Sequence, residues 1–278
     1  MNGGVHMIRY TDYSPNAKDL VNCGHSVQEC PLEIERQYSR HFHDSYEILL
    51  LIKGDVHYNI DGERYALRPY DILLIPPTKY HFLIPMSNEI YESYVINLKV
   101  NFSEDERLQR LFSFPYIINI SNDAVAKKMF SLFDQYYSTL SLKDFKVAAY
   151  HLISALLIYL SYKSKGENDG DRVTESDPLI SSITAYISAH LEDELDAEVI
   201  ARQMNFSRSY VQNRFSAVMG IGLKQYINRK KIYAARDEIL GGESIYRVAE
   251  KYRFSDYSSF YRQYKRILGV SPKEEKQS

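Results

Sequence analysis

IARQMNFSRSYVQNRF, residues 200–215, returns 48 residues later as VAEKYRFSDYSSFYRQY, residues 248–264. Both open on an aliphatic residue and Ala, leave four positions free, and then place Phe-Ser ahead of a second helical pattern. Such doubling marks a repeated supersecondary unit. Each copy reads as a helix-turn-helix. Ala201 and Ala249 are small where the first helix must approach the second. Phe206 and Phe254 fall in the turn and are expected to fill the space between the helices. Ser207, and Ser255 or Asp256, stand where a side-chain oxygen would cap the second helix. Tyr210, Val211 and Phe215 in the first copy, and Phe260 and Tyr264 in the second, are expected to face the core.

The opposite faces of the second helices then carry Arg208, Ser209, Gln212 and Asn213 in one unit and Tyr257, Ser258, Tyr261 and Arg262 in the other. Side chains of these types hydrogen-bond base edges or pack on thymine methyls. Between the units LKQYINRKKIYAARDEIL, residues 223–240, reads as a connecting helix closed by Gly241-Gly242. Arg208, Lys224, Lys230, Lys231, Lys265 and Arg266 are candidates for phosphate contacts. A plain helical bundle with solvated charges would not need two units in register, each with the same small, aromatic and capping positions.

On these residues, positions 177–275 resemble the DNA-binding domain of the AraC/XylS family of bacterial transcription regulators. The family's A-x4-F-S pattern, with Tyr, a hydrophobic residue and Phe following, matches Ala201 to Phe215, and Gly222, Tyr226, Arg229, Ile232 and Ala235 continue it. The second unit ends on Gly269, Ser271 and Pro272. Two departures stand out: the Gly that often precedes the turn Phe is Asn205 and Arg253, and the closing motif reads SPKEEKQS. The resemblance implies two recognition helices entering successive major grooves, about 34 Å apart.

The charge distribution agrees with this reading. The 278 residues carry 34 Lys+Arg and 36 Asp+Glu. From residue 178 onward we count 16 basic against 12 acidic, leaving 18 against 24 for the remainder. A basic C-terminal part behind an acidic N-terminal part suits contact with a polyanion. Cys23 and Cys30 fit neither a zinc spacing nor C-x-x-C and read as reduced thiols. No apolar run approaches a membrane span of roughly 20 residues, and the start lacks an apolar signal core. A cytoplasmic protein without a membrane partner is expected.

Ahead of the helical domain, YEILLLI, VHYNI, DILLIPP and YESYVINLKV read as short strands, punctuated by Lys53-Gly54-Asp55 and Asp61-Gly62. From about 121 the period becomes helical, through Val125, Met129, Leu132, Phe133 and Tyr136. A long apolar helix follows at 142–163, with Phe145, Ala149, Leu152, Ile153, Leu156 and Tyr159 on one stripe. That stripe is either core or a dimer seam. SKGENDGDRVTESD, residues 164–177, reads as a linker. The expected fold is α+β multidomain: a cupin-like β-barrel with following helices, then an all-α domain of two helix-turn-helix units. The expected divisions are 1–120 barrel, 121–163 helical dimerisation region, 164–176 linker and 177–278 DNA-binding domain.

Within the barrel, HFHDSYE at residues 41–47 sets His41, His43 and Glu47 on one face of an extended chain. The stretch is similar to the first cupin motif, and Pro76 to His81 approximates the second. That likeness implies a His41, His43, Glu47 and His81 metal set, but several expected glycines are missing, and AraC-family barrels commonly bind an effector without metal. No metal and no cofactor is therefore assigned. The expected ligand-binding residues are His41, His43, Glu47, Lys53, Tyr58, His81, Glu92 and Tyr94. The whole layout, with 25 Tyr and no Trp, resembles regulators of multiple-sugar or raffinose operons in Gram-positive bacteria. The combined expectation is an effector-responsive activator of a carbohydrate-utilisation operon and not an enzyme. Its partners are double-stranded DNA, a mono- or oligosaccharide and a second copy of itself, with RNA polymerase as a further candidate. The alternative is a cupin metalloenzyme using the four ligands above.

Overall fold

The computed structural model describes residues 5–10, 21–29, 32, 40–99, 105–112, 116–163 and 173–277. Cys30 and positions 164–172 of the expected linker lie outside the described residues. The chain divides into two compact units, Met1–Ile60 with Arg64–Glu175, and Asp61–Glu63 with Ser176–Ser278.

The first unit holds two sheets. The larger runs in the order β1 (Val5–Tyr10), β2 (Val21–Gln28), β8 (Tyr91–Leu98), β3 (Tyr46–Lys53), β6 (Asp71–Ile75), β9 (Tyr116–Asn119). The smaller is β10 (Val173–Ser176), β5 (Glu63–Leu67), β4 (Val56–Ile60), β7 (His81–Pro85). All four strands expected from sequence are present. β10 replaces the end of the expected linker with a strand. Its residues VTES have no apolar alternation, so its pairing comes from the edge of β5 rather than from a hydrophobic pattern.

The continuous apolar run Ile48-Leu49-Leu50-Leu51 is wholly buried, because both faces of β3 are covered. Odd positions Leu49 and Leu51 join Val56, Tyr58, Tyr65, Leu73, Ile75, Leu83 and Tyr91 in a core that draws on both sheets. Even positions Ile48 and Leu50 join Ile72, Leu74, Tyr94 and Ile96 in a second core on the other face of the larger sheet. There they meet three helices: α1 (Glu106–Leu111), α2 (Ala124–Thr139) and α3 (Leu142–Lys163). On α2 the buried residues are Ala126, Phe130 and Phe133, while Val125 is exposed, so the buried stripe is rotated from the expected one. The expectation that no apolar run approaches a membrane span is corrected here: α3 is apolar and long enough to cross a membrane by length and composition. Eight of its residues, Phe145 to Ser161, are buried within the unit, and Leu152, Ile153 and Leu156 sit in the helix-side core.

The second unit is helical: α4 (Pro178–Ala189), α5 (Ala197–Met204), α6 (Arg208–Met219), α7 (Leu223–Leu240), α8 (Ile245–Lys251), α9 (Tyr257–Leu268) and α10 (Pro272–Gln277). α5–α6 and α8–α9 are the two expected helix-turn-helix units, and α7 covers the expected connecting segment. Gly242, at φ +102°, takes the chain out of α7 through a bond from its N–H to the Ile239 carbonyl. α7 is the axis of this unit: Ile232, Ala235 and Ile239 pack with Val248, Ala249, Tyr252, Phe260 and Tyr264.

Candidate functional site

Two surfaces are candidates: the paired second helices of the C-terminal unit, and a histidine-carboxylate cluster at one end of the sheet pair.

The second helices of the two units begin on side-chain caps. Ser207 Oγ accepts from the Tyr210 N–H, and Asp256 accepts from the Ser259 N–H at 2.7 Å, which settles the cap of α9 on Asp256. Ahead of each cap the first helix closes on a left-handed residue: Asn205 at φ 59° and Arg253 at φ 56°. These are the two positions where the family pattern places glycine. The Phe206 and Phe254 N–H groups then return to the Ala201 and Ala249 carbonyls at 3.0 and 3.1 Å. The two turns thus repeat bond for bond.

Val211 and Phe215 on α6, and Phe260 and Tyr264 on α9, are buried as expected. Their burial turns Arg208, Ser209 and Asn213 outward, with Gln212 half-buried, and on α9 turns Ser258 and Arg262 outward, with Tyr257 and Tyr261 half-buried. The two faces match at a constant offset of 49, extending to Ser216 and Lys265, both exposed. Each is a strip one residue pair wide, recurring every turn.

Several expectations for this unit are corrected. Tyr210 does not face the core: it is 48% exposed, as is Phe206, and the rings stack at 5.0 Å. Phe206 therefore does not fill the space between the helices, whereas Phe254 is half-buried and meets Phe260 edge-on. Lys230 and Lys231 are buried, so neither presents its charge to a phosphate. Lys230 Nζ lies 6.0 Å from the Tyr226 ring centroid. Lys231 Nζ donates to the carbonyls of Asp193 and Tyr252 at 2.9 and 3.0 Å. Burial lowers its pKa. Both sit on the inward side of α7, where a run of three cations read from sequence could not be divided into faces. Lys224, Lys265 and Arg266 remain exposed. The closing SPKEEKQS has a structural role: Glu275 accepts from Arg236 and from Tyr264, which ties α10 to α7 and α9.

In the first unit, the segment before β3 is tied to the start of β7. His41 and His81 exchange both backbone bonds, at 3.2 and 3.1 Å, and the Thr78 N–H donates to the His43 carbonyl at 2.8 Å. Only His41 of the 41–45 segment is paired in a ladder, yet the expected convergence occurs. His43 Nε2 lies 3.0 Å and His81 Nε2 3.6 Å from Glu47 Oε2. The His41 ring stands 4.4 Å from that of His81 and 5.3 Å from that of His43. One ligand atom from each of the four residues falls within 4.8 Å of the others. Glu47 and His81 are 6% and 1% exposed. Burial raises the Glu47 carboxyl pKa. Where the His43 and His81 rings are protonated, their Nε2–H groups and their charge outweigh that and hold it below the usual carboxylate range.

A helix-turn-helix domain model matches residues 200–278, and an AraC-like ligand binding domain model matches residues 32–156. The transcriptional activator AarP of Providencia stuartii is 30% identical over 95 residues, which are 34% of this chain and 70% of AarP. The chain belongs to the AraC family. PocR, a regulatory protein of Salmonella typhimurium, is 30% identical over 105 residues, 37% of this chain and 35% of its own. ToxT of Vibrio cholerae aligns over 99% of this chain and 97% of its own at 14% identity and a TM-score of 0.39. This AraC-family chain is thus a DNA-binding transcriptional regulator with a ligand-binding domain. The matched domains and relatives give no support to the enzymatic alternative.

The ligand-binding domain of this AraC-family regulator brings together only some of the residues expected to line its site. His41, His43, Glu47 and His81 converge. Tyr58 is buried between the sheets, with its hydroxyl 3.4 Å from that of Tyr91. Tyr91, absent from the expected ligand-binding residues, is buried beside Tyr58; burial first, and then the charge of Glu47, raises its pKa. Ser45 was also missed: its hydroxyl lies 3.0 Å from His43 Nδ1. Lys53 is exposed and lies six residues along β3 from Glu47, roughly 20 Å away. Glu92 and Tyr94 point to the helix side of the larger sheet. Glu92 bonds His25 Nε2 at 3.0 Å, and Tyr94 donates to Asp134 while stacking on His25 at 4.1 Å. The register explains this: Leu51 pairs with Ser93 and Leu49 with Val95, so odd positions of β8 share the Glu47 face and even positions oppose it.

Proposed function

We propose that this AraC-family chain is an effector-responsive activator of a carbohydrate-utilisation operon. The faces of α6 and α9 read DNA, and a mono- or oligosaccharide is sensed in the barrel. The observation that carries the DNA-reading half is the repeated exposed strip: Arg208, Ser209, Gln212 and Asn213 against Tyr257, Ser258, Tyr261 and Arg262. Residue types able to pair with base edges recur at one offset on two capped helices. Arg208, Lys224, Lys265 and Arg266 supply phosphate contacts. The sugar half is supported by the polar cluster around Glu47 beside Tyr58 and Tyr91, and by the likeness of the layout to multiple-sugar and raffinose regulators.

The chain acts as a homodimer, which makes the second half-site engagement effectively intramolecular. The exposed stripe Val147, His151, Ile158 and Tyr162 on α3 supports this, because these positions share one side of the helix. A bound effector would change how two copies present their recognition helices only through its differential affinity for the two arrangements. RNA polymerase is the further partner that an activator requires.

Fluorescence anisotropy with a duplex from the chain's own upstream region tests the reading. Binding should exceed that to a scrambled duplex and weaken steeply with added salt. Equal affinity for both duplexes would overturn it. A melting-temperature screen with mono-, di- and trisaccharides tests the sensing half, since a ligand at 100 times its Kd adds about 2.7 kcal/mol.

A further inference from the structure

We propose that the barrel binds one divalent first-row transition metal ion, of the zinc, cobalt or nickel type, through His41, His43, Glu47 and His81. The sequence alone assigned no metal here, and the hydrogen-bond geometry around the rings argues for one.

A backbone carbonyl can only accept. His43 Nδ1 lies 2.9 Å from the Ser45 carbonyl, and His81 Nδ1 lies 2.8 Å from the Lys79 carbonyl. In His81 Nδ1 must therefore carry the proton; in His43 the Ser45 hydroxyl also lies 3.0 Å from Nδ1, but it donates to Asn97 Oδ1, which leaves Nδ1 as the donor there too. In the neutral rings this leaves the lone pair on Nε2, and both Nε2 atoms point at the same carboxylate oxygen, Glu47 Oε2, at 3.0 and 3.6 Å. Lone pairs of two imidazoles facing a carboxylate repel one another unless a cation stands among them. Two shared protons would serve, but they would bring two imidazolium charges to within 4.8 Å of each other at a largely buried place. One divalent ion satisfies all the donors at once.

The same carbonyl bonds are the outer contacts that metal-bound histidines ordinarily make. A ligating imidazole donates its other N–H to a carbonyl or carboxylate, which fixes both tautomer and ring direction. Here the bonds from His43 and His81 are already formed. The spacing also fits. Donors around a tetrahedral ion with bonds of about 2.1 Å stand about 3.4 Å apart; the four ligand atoms now lie within 4.8 Å of one another, so the widest pair closes by at most about 1.4 Å. Three nitrogens and one oxygen favour borderline ions over magnesium or calcium, which take oxygen sets. The site is held by the paired backbone of His41 and His81 and by the Thr78 bond to His43, so little ordering is left for binding.

The ion would occupy the same polar cluster that supports the sugar-sensing reading, but its test involves neither DNA nor sugar, so a failure of either binding leaves it unaffected. The experiment uses the untagged full chain, stripped with chelator and desalted, and titrated with Co²⁺ while visible absorption is followed. Zn²⁺ is then added as competitor, and Mg²⁺ serves as a control. We expect ligand-field bands that saturate at one equivalent, vanish on Zn²⁺ addition and do not respond to Mg²⁺. Glu47→Gln, nearly isosteric, and His43→Ala, at a less buried position, should each weaken Co²⁺ binding at least tenfold while circular dichroism stays that of the parent. Absence of saturable bands would overturn the assignment. So would one-equivalent binding that both folded variants retain at parental affinity, since the ion would then sit elsewhere.

Discussion

At the residue scale, backbone conformation and burial decide what each side chain can do. Asn205 and Arg253 occupy left-handed positions that close α5 and α8. Asn tolerates that region, whereas Arg has no local compensation for it. Arg253→Gly should therefore stabilise the C-terminal unit by about 0.5–1 kcal/mol, and Asn205→Gly by much less. Chemical denaturation of the two variants checks the ranking, and equal gains would contradict it. His25 gives a pH dependence. Burial disfavours its charge, but hydrogen bonds and attraction from Asp134 and Glu92 outweigh that, and its pKa rises above 6.5. A raised histidine pKa means that the folded state holds the proton more tightly than the unfolded one. The resulting stability is complete below about 6.5 and is lost as pH rises through the folded value. The melting temperature of the parent over that of His25→Gln should thus shrink from mildly acidic to alkaline pH. A constant difference would show that the ion pairs contribute nothing.

At the element scale, the legibility of the sequence followed the strength of the pattern. β3, β4, β6 and β8 are apolar or aromatic runs bounded by turn residues, and each was readable. β5 (ERYAL), β7 (HFLIP) and β9 (YIIN) are short runs with little alternation to mark them. The face of a residue was less legible than its element. Glu92 and Tyr94 sit in a strand that was read, but its register against β3, and hence its inward parity, depends on a pairing that no local pattern states. Lys230 and Lys231 fail for the same reason on a helix: the run RKK at 229–231 spans too few residues to show which side is solvent. The duplicated units were the most legible part, because two copies check one another; their caps, turns and outward faces agree with the reading except at Phe206 and Tyr210. α3 offers a prediction at this scale. Val147 and Ile158, both about half exposed, lie three turns apart on one side of the helix, so Val147→Glu with Ile158→Glu should shift a dimer to monomer in sedimentation equilibrium. An unchanged association constant would place the dimer seam elsewhere.

At the scale of the whole molecule, an AraC-type ligand-binding domain and a double helix-turn-helix domain share one chain, and regulation requires that the first alter what the second does on DNA. The chain spans 70% of the length of AarP but 35% of that of PocR, so what those proteins do as wholes carries over only as a proposal. The claim that everything else depends on is that α6 and α9 both read bases, as two units one helical turn apart. Hydroxyl-radical footprinting on the chain's own upstream region, with the parent and with Gln212→Ala/Asn213→Ala and Tyr261→Ala/Arg262→Ala, tests it most directly. The parent should protect two segments on one face of the duplex, with centres about 10–10.5 base pairs apart, and each double variant should lose one segment while keeping the other. A single protected segment, or loss of both segments in both variants alike, would contradict it.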